Sequence, residues 1–392
     1  MSDSIVIVSA ARTPMGGLQG DLSSVKATDL GAVAIQSVLE RSGLTSDQVD
    51  EVVMGCVLPA GLGQAPARQA ALKAGLPLSA GCTTVNKMCG SGMKAVMLAH
   101  DQIKAGSCNI MIAGGMENMS QSPYLLPKVR EGLRMGHAKV LDHMFLDGLE
   151  DAYEGGLMGS FAQRSADQFN VSREAMDDFA ISSLEKSLQA INSGAFKDEI
   201  AAVTLKGRTA DQVVDMDEQP GKARMDKIRG LRPAFAKDGT VTAANSSSIS
   251  DGASALLLMK ESEALAKGLS PMARIVAHST HAQLPAEFTI APIGSIEKVL
   301  AKAGWDKDSV DLFEINEAFA VVTMLAIDKL GLDPNKVNIK GGACALGHPI
   351  GSSGSRILVT LLYALKQKGL KRGVASLCIG GGEATAVAVE LL

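Results

Sequence analysis

The chain carries a copy of part of itself. The segment AIQSVLERSGLTSDQVDEVVMG, starting at Ala34, aligns without a gap with SIEKVLAKAGWDKDSVDLFEIN, starting at Ser295, at a constant offset of 261 residues. Ile35/Ile296, Val38/Val299, Leu39/Leu300, Gly43/Gly304, Asp47/Asp308, Val49/Val310 and Asp50/Asp311 are identical. Their spacing reads as an amphipathic helix, a glycine stop and an apolar strand, so two halves of the chain build the same α/β unit. A looser match follows. CGSGMKAVMLAHDQIKAGSCNIMIAGGMEN from Cys89 and PIGSSGSRILVTLLYALKQKGLKRGVASLCIGGGEAT from Pro349 both read loop, helix, loop, strand, glycine-rich turn. Met93, Val96, Met97 and Ala99 leave the first of these helices almost without a polar face, which predicts burial at the centre of the fold.

Between the repeats the character changes. Charges cluster, and SREAMDDFAISSLEKSLQAINSG reads as a helix capped by Ser172 and stopped by Gly194. Glu174, Asp177 and Asp178 suit the start of that helix and are expected on a solvated face. The predicted organisation is an α/β protein with duplicated mixed-sheet halves. Residues 1–119 plus 246–271 form the first half, 120–245 an inserted loop domain, and 272–392 the second half.

At 392 residues, with 38 Lys+Arg against 42 Asp+Glu, the net charge of −4 gives no general attraction to phosphate backbones or anionic membranes. With aromatics at 3%, base stacking is a poor prospect as well, so no nucleic-acid or membrane partner is expected. MSDSIVIVSAARTP lacks the basic flank and long apolar stretch of a signal peptide, and no apolar run approaches the ~18 residues of a membrane span. A cytoplasmic protein is expected. The six cysteines form no CxxC pair, and free thiols are the expectation. His278 and His281 have no Cys or carboxylate close to them in the sequence, so no metal site is expected.

Four loops carry reactive residues. In TTVNKMCGSGMKAVM, Cys89 precedes a helix whose bare N–H groups would stabilise a thiolate, and a depressed thiol pKa is expected there. In GGACALGHPIGSSGSR, His348 lies between Gly347 and Pro349 at the equivalent point of the second repeat, where a neutral imidazole could take the Cys89 proton. In ASLCIGGGEATAVAV, Cys378 ends an apolar strand before Gly380, Gly381 and Gly382, whose backbone N–H groups suit an oxyanion and whose neighbouring thiol could act as acid or base. In LFEINEAFA, Asn316 ends the repeated strand, and its amide could orient a water or bind a carbonyl oxygen.

VNKMCGSG, NEAFA, GGACALGHPIG and CIGGG, in this order and over essentially the whole chain, resemble the signatures of the thiolase family. IVSAARTP, AGLGQAPARQA and LRPAFAKDGTVTAAN are most similar to its members that make acetoacetyl-CoA. The resemblance implies a layered αβαβα fold and a reversible Claisen exchange. Two acetyl-CoA would give acetoacetyl-CoA and CoA, with Cys89 acylated, His348 as its base and Cys378 removing the α-proton. One oxyanion hole would come from His348 and a water on Asn316, the other from the N–H groups of Cys89 and Gly380. CoA and its esters are then substrates and no further cofactor is implied. Ser247, Ala244, Ala318 and Phe319 match CoA-contacting stretches, and Met158 lies near the thioester. Lys222, Arg224 and Arg229 are candidates for the CoA phosphates. Leu157 and Lys340 depart from the family's usual His and Asn, and Phe288 is expected to wall the acyl pocket and favour short chains. A homotetramer built through SQSPYLLPKVREGLRMGHAKV is also implied. The alternatives are a degradative 3-ketoacyl-CoA thiolase of broader chain length and a non-catalytic CoA- or lipid-binding scaffold on the same fold.

Overall fold

The computed structural model describes residues 3–207 and 209–392. Nine strands form one hydrogen-bonded path: β1 (Ile5–Arg12), β2 (Glu51–Gly55), β3 (Gly81–Val85), β4 (Ile110–Asn118), β5 (Ser250–Lys260), β6 (Ala273–Ala282), β7 (Leu312–Ile315), β8 (Arg372–Ile379) and β9 (Glu383–Leu391). Their spatial order is β7-β8-β9-β6-β1-β5-β4-β2-β3, with the short Gly16–Gly17 strand pairing onto β5.

This path is two copies of one pattern joined back to back. In the first half β1 and β5, then β5 and β4, pair antiparallel, whereas β4 and β2 run parallel. The second half repeats this with β6, β9, β8 and β7. The two sheets meet through only two residue pairs, Val6 with Arg274 and Ile7 with Ala273. The extra edge strand β3 has only a vestige in the second half, a single parallel bridge from Phe313 to Val337.

Alternation along the strands sorts side chains between layers. On β4, Ile110 and Ile112 face an outer core shared with Leu30, Ile35 and Val38 of α1 (Ala27–Ser42) and Ala70 of α2 (Pro66–Lys73). Met111 and Ala113 point the other way, into a central core. There Met93, Val96 and Met97 of α3 (Ser91–Ala105) meet Ile357, Leu358, Leu361 and Leu362 from a later helix, Ser353–Lys368. The far sheet closes this core with Ala375, Leu377 and Val387. Its outer face is covered by Ile296 and Val299 of the repeat helix Ala291–Ala303. The result is five layers, αβαβα, as expected from the resemblance.

The segment between the halves supplies α4 (Met158–Gln168) and α5 (Arg173–Asn192). Ser172 caps α5 by accepting from the Ala175 N–H. Asp177 corrects the expectation of a solvated face. It is buried and held by Arg173 at 2.7 Å and Asn245 at 3.0 Å, because α5 lays this turn against the 240–246 loop. With the repeat helix Ala291–Ala303 as α6 and Ala320–Leu330 as α7, the central helix Ser353–Lys368 is α8. Among the described residues no helix is long and apolar enough to cross a membrane.

The two central helices touch at their N-terminal ends, and glycine makes this possible. A Cβ on Gly354 would lie 2.5 Å from the Met93 backbone nitrogen, and one on Gly92 would lie 2.5 Å from Ser355 Oγ. Gly354→Ala should therefore force the helices apart and cost about 1–3 kcal/mol, read from the urea midpoint of unfolding. An unchanged midpoint would show that the contact is not tight.

Candidate active site

The junction of α3 and α8 determines where the reactive loops go. From β3 the chain passes through residues 86–90 in a tight turn, with Met88 at φ 46°. The turn is locked by Asn86 accepting from the Met88 N–H and by Ser91 Oγ, which accepts from Lys87 N–H and donates to Met88 O at 2.6 Å. Cys89 stands at its end, immediately before α3. Across the junction, Gly347 adopts φ 104°, and a Cβ there would meet Ser250 Oγ at 2.2 Å. The turn brings the His348 N–H to Ser248 O at 3.1 Å and presents the ring just ahead of α8.

Ser353 fixes the state of that ring. Its hydroxyl donates to Pro349 O at 3.0 Å, so its lone pair accepts from His348 Nδ1 at 2.5 Å. The hydrogen therefore sits on Nδ1, and Nε2, buried and without a protein partner, carries the free lone pair. Burial, aided by the charge of Arg356, lowers the His348 pKa to about 3, so the imidazole is neutral at physiological pH.

Cys89, His348, Cys378 and Gly380 line one cavity of about 400 Å³. Cys378 lies one residue before the end of β8, and the Gly380 N–H that follows favours the Cys89 thiolate, as does Cys89's own N–H. The low thiol pKa expected at Cys89 is overturned. Burial in an apolar chamber outweighs the two N–H donors and pushes it up to about 11. The Cys378 thiol is likewise pushed well above its ordinary value, by burial and then by the neighbouring Cys89. The resting site is thus two neutral thiols and a neutral imidazole, poised to move a proton only when one reacts.

The rest of the wall is apolar. Phe145, Leu149, Leu157, Met158, Phe235, Phe288 and Phe319 line it with Ala318 and Ser247. Leu157 and Phe288 thus stand in the chamber as expected. Asn316 does not line it. It lies buried just beyond the end of β7, with both amide atoms lacking a protein partner.

Next to this chamber, sharing Ala243 and Ser248 as walls, a second cavity of about 310 Å³ contains Ala244, Arg224, Lys227 and Cys344. Lys222 lines neither cavity, and its exposed side chain pairs with Glu218 and Asp21. Arg229 is likewise occupied by Asp178. Lys340 serves a buried ion cluster, reaching Glu199 at 3.2 Å, while Glu199 also binds Arg12.

Two carboxylates escaped sequence reasoning. Glu117 accepts from the Val57, Leu58 and Gly351 N–H groups, joining the loop after β2 to the His348 loop, and burial raises its pKa to about 7. Glu317 accepts from Ser183, Asn338 and the Cys344 N–H, and so binds the Asn316 loop to the segment leading to His348. Ser353 was missed as well. Its place five residues after His348, at a helix start, was the only available signal.

Comparison with known proteins agrees with this geometry. Residues 5–262 match the family model for the thiolase N-terminal domain, and 269–391 that for the C-terminal domain. The acetyl-CoA acetyltransferase of Cupriavidus necator is 48% identical over 388 residues, covering 98% of this chain and 99% of that one. Acetyl-CoA acetyltransferase 2 of Arabidopsis thaliana is 50% identical over 391 residues, 99% and 97% of the two chains. The crystal structure of the Bacillus anthracis acetyl-CoA acetyltransferase superposes with a TM-score of 0.97 at 40% identity, covering 100% of this chain and 99% of that one. With both domain models matched in order, and the two repeats meeting around a pair of cysteines and a histidine, the chain belongs to the thiolase family.

Proposed function

We propose that this protein is an acetyl-CoA acetyltransferase working in the cytoplasm, condensing two acetyl-CoA to acetoacetyl-CoA and CoA and catalysing the reverse thiolysis. The observation that carries the reading is the chamber in which Cys89, Cys378, His348 Nε2 and the Gly380 N–H converge.

Cys89 attacks the first thioester carbonyl while its proton passes to His348 Nε2. Neutral partners suit this step, since neither must be charged in an apolar chamber before substrate arrives. CoA leaves as the thiolate and takes a proton from Cys378, which becomes the base. The same burial that pushes the Cys378 pKa up makes its thiolate strongly basic, as removal of a proton from carbon requires. The carbanion of the second acetyl-CoA attacks the acetyl-Cys89 carbonyl, and Cys89 recovers its proton from His348. The N–H groups of Cys89 and Gly380 stabilise the oxyanion on the acylated cysteine. His348, with a water held by Asn316, stabilises the enolate.

The pantetheine arm runs past Ser247, Ala318 and Phe319 into the neighbouring cavity, where Ala244 lies and Arg224 and Lys227 face the phosphates. Leu157, Phe288 and Phe319 wall the chamber, and their bulk supports a preference for short acyl chains. A homotetramer is the assembly that accompanies this reading. Its support is the exposed apolar set Leu126, Val129, Leu133, Met135 and Val140, with Met135 95% exposed.

In a thiolysis assay the wild type should cleave acetoacetyl-CoA faster than longer 3-ketoacyl-CoA esters, while Cys89→Ala and Cys378→Ala each lose at least about a thousandfold in kcat. Retained turnover in Cys89→Ala would remove it as nucleophile, and a preference for long chains would favour the degradative alternative. Ser353→Ala frees the Nδ1 hydrogen and should lower kcat roughly tenfold. Because burial lowers the His348 pKa to about 3, that loss should be constant from pH 5 to 8; recovery on raising the pH would contradict the neutral state assigned to the imidazole. Sedimentation should give a tetramer, and a monomer would refute the assembly.

A further inference from the structure

At the far end of α3 from the reaction chamber, three side chains converge that sequence reasoning left apart. His278 of β6, expected to have no carboxylate nearby, lies with Nε2 2.9 Å from Asp101 Oδ1. His100 places Nδ1 3.0 Å from the same oxygen. The two rings are set edge to face with centroids 5.0 Å apart. One ligand atom from each residue lies within 4.8 Å of the others. His100 and Asp101 come from the first half and His278 from the second, 177 residues away, so only the folded chain assembles the group.

We propose that His100, Asp101 and His278 form a binding site for a divalent transition metal ion of the zinc class. The donor set is two imidazole nitrogens and one carboxylate oxygen, the combination that such ions take and that Mg²⁺ and Ca²⁺ do not favour. The separations of 2.9 and 3.0 Å fall a few tenths of an ångström below the ~3.3 Å edge of a coordination tetrahedron with metal bonds near 2 Å, so the three ligand atoms need only a small outward adjustment to take the ion. The imidazole side chains are 12% and 16% exposed and the Asp101 side chain 55%, so the ligands are held from behind while the approach from solvent stays open.

Binding needs no net proton release from neutral rings. Without metal, both imidazoles present N–H groups to Asp101 Oδ1; with metal, the hydrogens move to His100 Nε2 and His278 Nδ1, and the vacated lone pairs bind the ion. Lys302 is occupied at the His278 carbonyl, 3.0 Å away, and fixes the strand. Lys104, one turn along α3, is the nearby cation that opposes a dication. His100 is eleven residues beyond Cys89, ~16 Å along the helix. An ion there would tie α3 to β6 and so one half of the fold to the other, without touching the substrates.

The test is titration of chelator-treated full-length protein with Co²⁺, followed by Zn²⁺ competition. The expected result is one Co²⁺ per chain with visible d–d bands and no thiolate charge-transfer band, displaced by Zn²⁺. His278→Ala and Asp101→Asn should each weaken binding more than about tenfold while leaving thiolysis unchanged. Absence of stoichiometric binding by wild type would overturn the proposal. So would binding that survives both variants but is lost in Cys89→Ala, which would assign the ion to the thiols instead.

Discussion

Everything in this molecule is arranged around the contact between the N-terminal ends of α3 and α8. Gly92 and Gly354 allow those ends to approach within a distance that a single methyl group would forbid. Each helix is preceded by a loop in the equivalent position of its repeat, so the contact brings Cys89 and His348 to the same place. The parallel strand ends of the second half then add Cys378, Gly380 and, set further back, Asn316. Duplication gives one fold two loop sets, and divergence leaves one set with Cys89 and the other with His348, Cys378 and Asn316.

The chamber works through restraint of charge. Its apolar wall raises both thiols and lowers the imidazole, so charge appears only as substrate bonds change. Carboxylates take a supporting role. Glu117 ties the Val57–Leu58 loop to the segment after His348, and Glu317 ties the residue after Asn316 to the segment before His348, neither entering the cavity. The buried Arg12–Asp217 and Arg12–Glu199 pairs connect β1 to the inserted segment, and Lys340 joins that cluster from the His348 side.

The repeat made the two α/β halves legible, because Ile35/Ile296 and Val38/Val299 report the same packing twice; the αβαβα layering itself came from the family resemblance. The glycine-flanked cysteines and histidine were legible for a similar reason: their loops have a local signature. What could not be read were consequences of distant burial. The Cys89 thiol follows its apolar surroundings rather than the helix end beside it. Lys222 pairs with Glu218 and, 201 positions away, with Asp21, and no local pattern reveals the second pairing. Ser353 orients His348 through a turn whose geometry no pattern of residue types reveals, and His278 meets Asp101 only because the two halves pack together.

The central claim is that Cys89 carries the acyl group while Cys378 serves as the carbon acid's base. Intact-protein mass spectrometry after rapid mixing of Cys378→Ala with acetyl-CoA tests it directly. The account predicts one acetyl group per chain, mapped to Cys89 by peptide digestion, because acylation proceeds while condensation is blocked. An acetyl group mapped to any other residue, or none at all while acetyl-CoA is still consumed, would contradict it.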